Sequence, residues 1–324
     1  MIAFTLLHFI MKNIIYDIYH DESKEEAYWH GFLFVPRENR NYLLSLLNEA
    51  RANTGYFHQV HYQRIKSKTK CNNIKAIVIN SWTTIGVSSL QQQKLYKIPS
   101  FVYMGRIPKK IKPIYKKLED LIKCRFAVFK EKDKHQKMFF KYDNLRNIEI
   151  TFKMALKGAL HKLFSIDDPV TIGNIFIDGD EQYIGEYGRN LNTTEIIKKL
   201  QLEKREYVNF LDNSEIIPQK SNHRKLKSGQ NEDDSHLLQL CDILIGGVRF
   251  HSYCPDTNIT KYRISELCKY LLEHDQNNTA RMKESRYFNG FLLNEAWIED
   301  DEWKFCQLNV GNYNNSEQLI LKFE

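Results

Sequence analysis

Three aspartates stand where their neighbours predict burial, and a buried carboxylate needs a partner or a task. Asp178 ends the apolar run Ile175-Phe176-Ile177 and precedes Gly179. A strand that apolar is expected to be central and covered on both faces. Its terminal carboxylate then lies outside the carboxyl end of the sheet, where α/β folds bind ligands. The bland alternative is an Asp that merely starts a turn with Gly179. Asp242 interrupts Leu237-Leu238-Gln239-Leu240-Cys241-Asp242-Ile243-Leu244-Ile245. Ser235, Gln239, Asp242, Gly246 and Arg249 recur at helical spacing, a polar or small-residue stripe on an otherwise apolar helix. Such a stripe turns a carboxylate toward a polar cavity, or else forms a buried Asp242–Arg249 pair. Asp21 closes a strand in Tyr19-His20-Asp21-Glu22-Ser23, and alternation puts Asp17, Tyr19 and Asp21 on one face. Asp17 and Asp21 would be about 13 Å apart along an extended strand, so they cannot share one metal centre. Asp21, at the strand end, is preferred, with Asp17 as the fallback.

Three carboxylates from a first strand, a later central strand and a final helix can hold one or two Mg²⁺ or Mn²⁺ ions, hard cations that prefer oxygen. Two such ions about 3.5–4 Å apart activate a water and stabilise the leaving oxygen in phosphodiester hydrolysis. No G-x-S-x-G, P-loop, G-x-G-x-x-G or H-E-x-x-H string competes with that chemistry.

The charge pattern fits a polyanionic partner. Residues 108–142 carry twelve Lys or Arg against four acidic residues, which exceeds the net +7 of the whole chain. A second cluster, Lys220, Arg224, Lys225 and Lys227, precedes the apolar helix. Aromatics in and beside the first stretch (Tyr103, Tyr115, Phe126, Phe129, Phe139, Phe140, Tyr142) can stack on bases or pack. Together these read as nucleic-acid binding with strong salt dependence; the alternative is a Lys-rich solvated face.

The elements that must position these groups follow from pattern and punctuation. Strands are expected over 14–21 and 27–35, an antiparallel hairpin, then a helix over 41–52 and a strand over 56–63. Helix is expected over 74–93, strand over 125–130 and an amphipathic helix over 148–164. A strand over 171–178 precedes a helix over 194–207, capped by Asn192 or Thr193, and then the helix 235–250. The tail reads as a helix over 264–274 and a hairpin, 291–298 with 304–310. Hairpin strands first and alternating helix and strand afterwards make an α/β mixed sheet over 13–252, with 253–324 as a C-terminal addition.

With 324 residues, 42% apolar and 13% aromatic, the chain can bury a core, and no apolar run is long enough to span a bilayer. The apolar start, residues 1–11, lacks the basic flank and cleavage site of a signal peptide and is assigned no function; translation from Met11, an extra strand or a short docking segment would each account for it. Six cysteines, none closer than 13 residues to the next, give no zinc or dithiol spacing and suit reduced thiols in a cytoplasmic protein.

At three strings the chain resembles domain-of-unknown-function family 3800 of the RNase H-like superfamily: Tyr19-His20-Asp21-Glu22-Ser23, Asn174-Ile175-Phe176-Ile177-Asp178 and the stretch from Ser235 to Gly246. The last is the most specific, with Cys241 in place of the usual small residue. The resemblance implies an RNase H-like fold, a metal-dependent nuclease and Asp21, Asp178 and Asp242 as its acidic cluster. It also implies a Lys in the third-strand region, matched here by Lys66, to offset carboxylate charge or contact a phosphate. Lys24 stands where the family often has Gly, and the fourth carboxylate is undefined among Glu22, Asp180 and Glu149. A role in mobile elements or antiphage defence, with a protein partner, is a further implication. The rival class is a non-catalytic nucleic-acid-binding or sensing subunit on the same fold; a third is a protein-interaction module whose basic face is only solubilising.

Overall fold

The structure, a computed structural model, describes residues 14–24, 27–66, 68–90, 122–131, 144–166, 168–178, 192–253, 258–281, 290–299 and 302–308. The apolar start, Asp180, Cys254 and residues 108–121 and 132–142 of the basic stretch lie outside them.

The described residues build one mixed eight-stranded sheet with helices on both faces. β1 (Ile14–Ser23) and β2 (Trp29–Pro36) form the expected antiparallel hairpin, with Tyr16 opposite Pro36 and Ser23 opposite Trp29. β3 (Arg125–Glu131) runs antiparallel to β2. On the other side of β1 lies β4 (Val170–Asp178), parallel to it. Two short strands, β5 (Val208–Phe210) and β6 (Ile216–Gln219), pair in parallel with successive halves of β4. β7 (Phe291–Glu299) joins β3 in parallel, and β8 (Glu302–Gln307) closes the far edge.

Strand alternation sends successive side chains into two separate cores. Tyr19, Leu33, Val35, Phe126, Val128 and Phe176 face α1 (Arg40–Thr54), α2 (Ile74–Ser89), α5 (Glu232–Tyr253) and α6 (Ile259–Arg281). Ile18, Phe32, Phe34, Ala127, Phe129 and Ile177 face α3 (Asn144–Leu163) and α4 (Thr193–Leu202). Coverage on both sides explains why every residue of β2 is buried and why 171–178 reads as almost continuously apolar. Residues beyond 252 belong to this same sheet through the β3–β7 pairing, and α6 packs on α5.

Two expectations fail. Residues 56–63 form no strand; they run irregularly into a single 3₁₀ turn at Tyr62–Arg64. Their backbone donors go to side chains of α5 instead of a neighbouring strand: Val60 N to Gln239 Oε1 at 2.7 Å and Tyr62 N to Asp242 Oδ2 at 2.9 Å. The helix begun at Thr193, capped by Asn192 accepting from Glu195 N, ends at Leu202 rather than 207. Tyr207 is drawn to the sheet edge, where its carbonyl accepts from Val170 N at 2.8 Å. Among the described residues the five cysteines are free thiols, and no helix is long and apolar enough to cross a membrane.

Candidate metal centre

β1 and β4 run in parallel with His20 beside Ile177, so the next residues in register, Asp21, two residues before the end of β1, and Asp178, the last residue of β4, lie on neighbouring strands about 4.8 Å apart. Alternation puts Asp21 on the face of Tyr19 and Asp178 on the face of Phe176, the face that α5 covers. α5 crosses β1 and β2 very closely. The Cys241 thiol lies 3.3 Å from Tyr19 O and 3.4 Å from Gly31 O. A Cβ at Gly31 would fall 2.3 Å from Ile245 Cγ1, so only glycine admits the helix there. Seating Cys241 on β1 and β2 brings Asp242, one residue on, to the two other aspartates.

The three carboxylates feel one another. Burial, then the charges of Asp178 and Asp242, push the Asp21 carboxyl well above its ordinary range, against the Glu22 amide that donates to Asp21 Oδ1 at 2.7 Å. Asp178 is raised by burial and by Asp242, and held back by Ser221, whose amide donates to Asp178 Oδ1 at 2.9 Å, and by His61. Asp242 Oδ2 accepts from Tyr62 N and lies 3.2 Å from His61 Nδ1. Gathering like charges out of water is costly unless protons or a cation compensate. The oxygen-only donor set fits a hard dication such as Mg²⁺ or Mn²⁺. The aspartates do not converge as tightly as two histidine–glutamate groups whose ligand atoms lie within 4.8 Å of one another.

The polar stripe on α5 is a ladder that holds the site's loops. Ser235 accepts from Gln219 Nε2 at 2.7 Å and donates to Lys220 O. Gln239 takes Val60 N and Arg51 and donates to Ser221 O at 2.6 Å. Asp242 takes Tyr62 N, and Gly246 lies under the Tyr62 ring. The loop carrying Lys220, Arg224, Lys225 and Lys227 is thus fixed beside Asp178, with the last three exposed.

Other candidates fall elsewhere. Asp17 is a structural ion pair, accepting from Arg37 at 2.6 and 3.0 Å and from Asn174 N at 2.8 Å. Lys66 is exposed in the turn after Tyr62–Arg64, not on a strand; the third strand is β3. Glu149 accepts from Asn192 N at 2.8 Å at the start of α4, and Glu22 faces the opposite side of the sheet with His30. Within the basic stretch, Arg125 is buried against Asp168 and Leu163 O, and Lys130 pairs with Glu295 at 2.8 Å, so neither serves a phosphate clamp. Lys123 is exposed.

Sequence reasoning passed over His61 and Ser221. No local signal marks them: each reaches its aspartate only because α5 and β4 bring distant segments together. Comparison with known proteins adds nothing to this geometry, since no family model, curated protein or solved structure matches the chain.

Proposed function

We propose that this protein is a divalent-metal-dependent nuclease of RNase H-like fold that hydrolyses phosphodiester bonds of DNA or RNA. The observation that carries the reading is the meeting of Asp21, Asp178 and Asp242, from two adjacent parallel strands and a helix, with the carboxyl of Asp21 raised by burial and then by the charges of the other two. The antiparallel first hairpin, the parallel β4 and the resemblance to family 3800 support the same reading.

Asp21, Asp178 and Asp242 would hold Mg²⁺ or Mn²⁺, which supplies a water of lowered pKa and stabilises charge on the leaving oxygen. Ser221 and Tyr62 aim two of the carboxylates through their backbone amides. Arg224, Lys225 and Lys227 would bind the phosphate backbone beside Asp178, with Lys66 and Lys123 as further exposed cations. The resemblance adds a role in antiphage defence or mobile elements alongside a protein partner.

The test is cleavage of labelled single- and double-stranded DNA, RNA and hybrid with Mg²⁺ or Mn²⁺, by wild type, Asp178→Asn and Asp242→Asn. Metal-dependent cleavage abolished in both folded variants is the expected result. Cleavage that survives both sinks the assignment, and tight salt-sensitive binding without turnover selects the non-catalytic subunit.

A further inference from the structure

On the face of β1 opposite Asp21, a second constellation of different chemistry is assembled. His20 and Glu22 alternate along β1, and Glu22 pairs across the hairpin with His30 of β2. His20 Nε2 lies 3.2 Å from His30 Nδ1, which lies 3.8 Å from Glu22 Oε1, and the three ligand atoms fall within 4.8 Å of one another. Tetrahedral bonds of about 2.0–2.1 Å place ligand atoms about 3.3 Å apart, close to the two edges seen here.

The surroundings are those of a built site. His30 Nε2 faces Glu131 Oε1 of β3 at 3.3 Å. Because the carboxylate accepts, Nε2 carries the proton and Nδ1 turns its lone pair inward, the arrangement by which a carboxylate orients a metal-bound imidazole. Tyr28 donates its hydroxyl to Glu22 Oε2 and so aims the other oxygen at His30. His20 is fully buried, and its Nδ1 makes no hydrogen bond among the described residues. Phe32 and Phe152 pack on the His20 ring with centroids 4.6 and 4.8 Å away, which keeps water out. The interior of the cluster is therefore rich in acceptors: a lone pair of His30 and a carboxylate with side-chain exposure of 2%. A cation would bond the His20, Glu22 and His30 ligand atoms at once. The comparable group His223, Glu232 and His236 is weaker, since Glu232 is exposed and His223 only half-buried.

We propose that His20, Glu22 and His30 bind one borderline transition-metal dication, Zn²⁺ by its donor set, as a structural tie between β1 and β2, with Glu131 and Tyr28 as its orienting shell. Two imidazoles and one carboxylate favour Zn²⁺ over the Mg²⁺ that an all-carboxylate centre suits. Burial bars a substrate, so the ion is structural: it locks the hairpin directly behind Asp21. This assignment is independent of the nuclease reading.

The experiment uses the untagged full-length chain, stripped with chelator and dialysed against Zn²⁺ or Co²⁺. Bound metal is counted by mass spectrometry, and Co²⁺ geometry is read from its visible ligand-field absorption. Variants are His20→Phe, which keeps an aromatic ring in the aromatic pocket, His30→Gln, Glu131→Gln, and Asp21→Asn with Asp178→Asn as controls; folding is checked by far-UV circular dichroism. Wild type should retain one ion with an intense tetrahedral band. Folded His20→Phe or His30→Gln should lose the band, Glu131→Gln should bind about 10–100-fold more weakly, and the aspartate variants should keep it. A folded wild type that retains no ion, or a tetrahedral band that survives both histidine substitutions, overturns the site and leaves a plain His20–His30 hydrogen bond. Loss of nuclease activity in the aspartate variants with the band intact separates the two centres.

Discussion

The backbone amide of Tyr62 donates to the Asp242 carboxylate at 2.9 Å across 180 residues of sequence. That bond aims a half-buried acid and at the same time satisfies a donor of an irregular segment outside the sheet. The Tyr62 hydroxyl reaches on to Lys261 O at 3.0 Å, so one residue ties α5, α6 and the segment before α2 around the carboxylates.

Gly246→Ala tests that tie. A Cβ at 246 would stand 2.4 Å from Tyr62 Cγ, and the ring is pinned at its far end. The expected cost is about 1–3 kcal/mol, as for other overpacked cores, read as a lower urea midpoint, together with weaker Mn²⁺ binding. An unchanged midpoint would mean that Tyr62 yields freely.

Asp21→Asn should separate stability from function. The folded-state carboxyl of Asp21 is raised, so the folded chain holds the proton more readily than the unfolded one. Stability from this group is then complete below the ordinary carboxylate range and is lost as pH rises toward the raised value. In metal-free protein at neutral pH, Asp21→Asn is expected to unfold at higher denaturant than wild type, with the gap closing in acid. Metal binding should fall in the same variant. A less stable Asp21→Asn at neutral pH would contradict the electrostatic account.

His236 acts in the opposite direction. Burial, then Arg51 and His223, push its ring down to about 3. The neutral folded form loses stability as pH falls from the ordinary 6.5 toward about 3, because the unfolded chain takes up the proton first. His236→Gln should remove up to a few kcal/mol of that acid sensitivity, measured as the pH slope of unfolding between those limits. His20, His161, His223 and His251 are also lowered, so a residual slope persists.

Arg125→Ala should cost stability and leave binding specificity alone. The guanidinium is 1% exposed, held by Asp168 and Leu163 O, and stacked 4.2 Å from the Phe164 ring. Removing it strands a carboxylate, for an expected loss of about 3–5 kcal/mol in chemical denaturation. A destabilisation below 1 kcal/mol would show that Asp168 finds water instead (about the value of an exposed pair).

Arg224→Ala and Lys225→Ala should behave in reverse. Both side chains are exposed on the loop fixed beside Asp178. Each substitution is expected to leave the urea midpoint unchanged and to lower the slope of log affinity against log salt by about 1 for a DNA or RNA oligonucleotide. Unchanged slopes would remove this loop from the nucleic-acid surface.

Local pattern alone determined much of the frame. The period-2 run into Asp21, the apolar run ending at Asp178 and the 3.6-period stripe through Asp242 are properties of short segments, so their strands and helix are readable one at a time. The cap at Asn192 and the hairpin of β7 with β8 are equally local. Three things were decided only by the tertiary structure. Residues 56–63 carry strand-forming side chains, yet α5 offers their amides Gln239 and Asp242, and a satisfied donor needs no ladder. Arg125 and Lys130 looked like part of a basic surface, but the middle of a covered sheet turned them into buried ion pairs. His61 and Ser221 carry no motif, because they reach Asp242 and Asp178 only where register and crossing bring distant segments together. Propensity and periodicity act over a few residues. Convergence of charge and ligands is set by how the sheet stacks on its helices, and short-range pattern does not encode it.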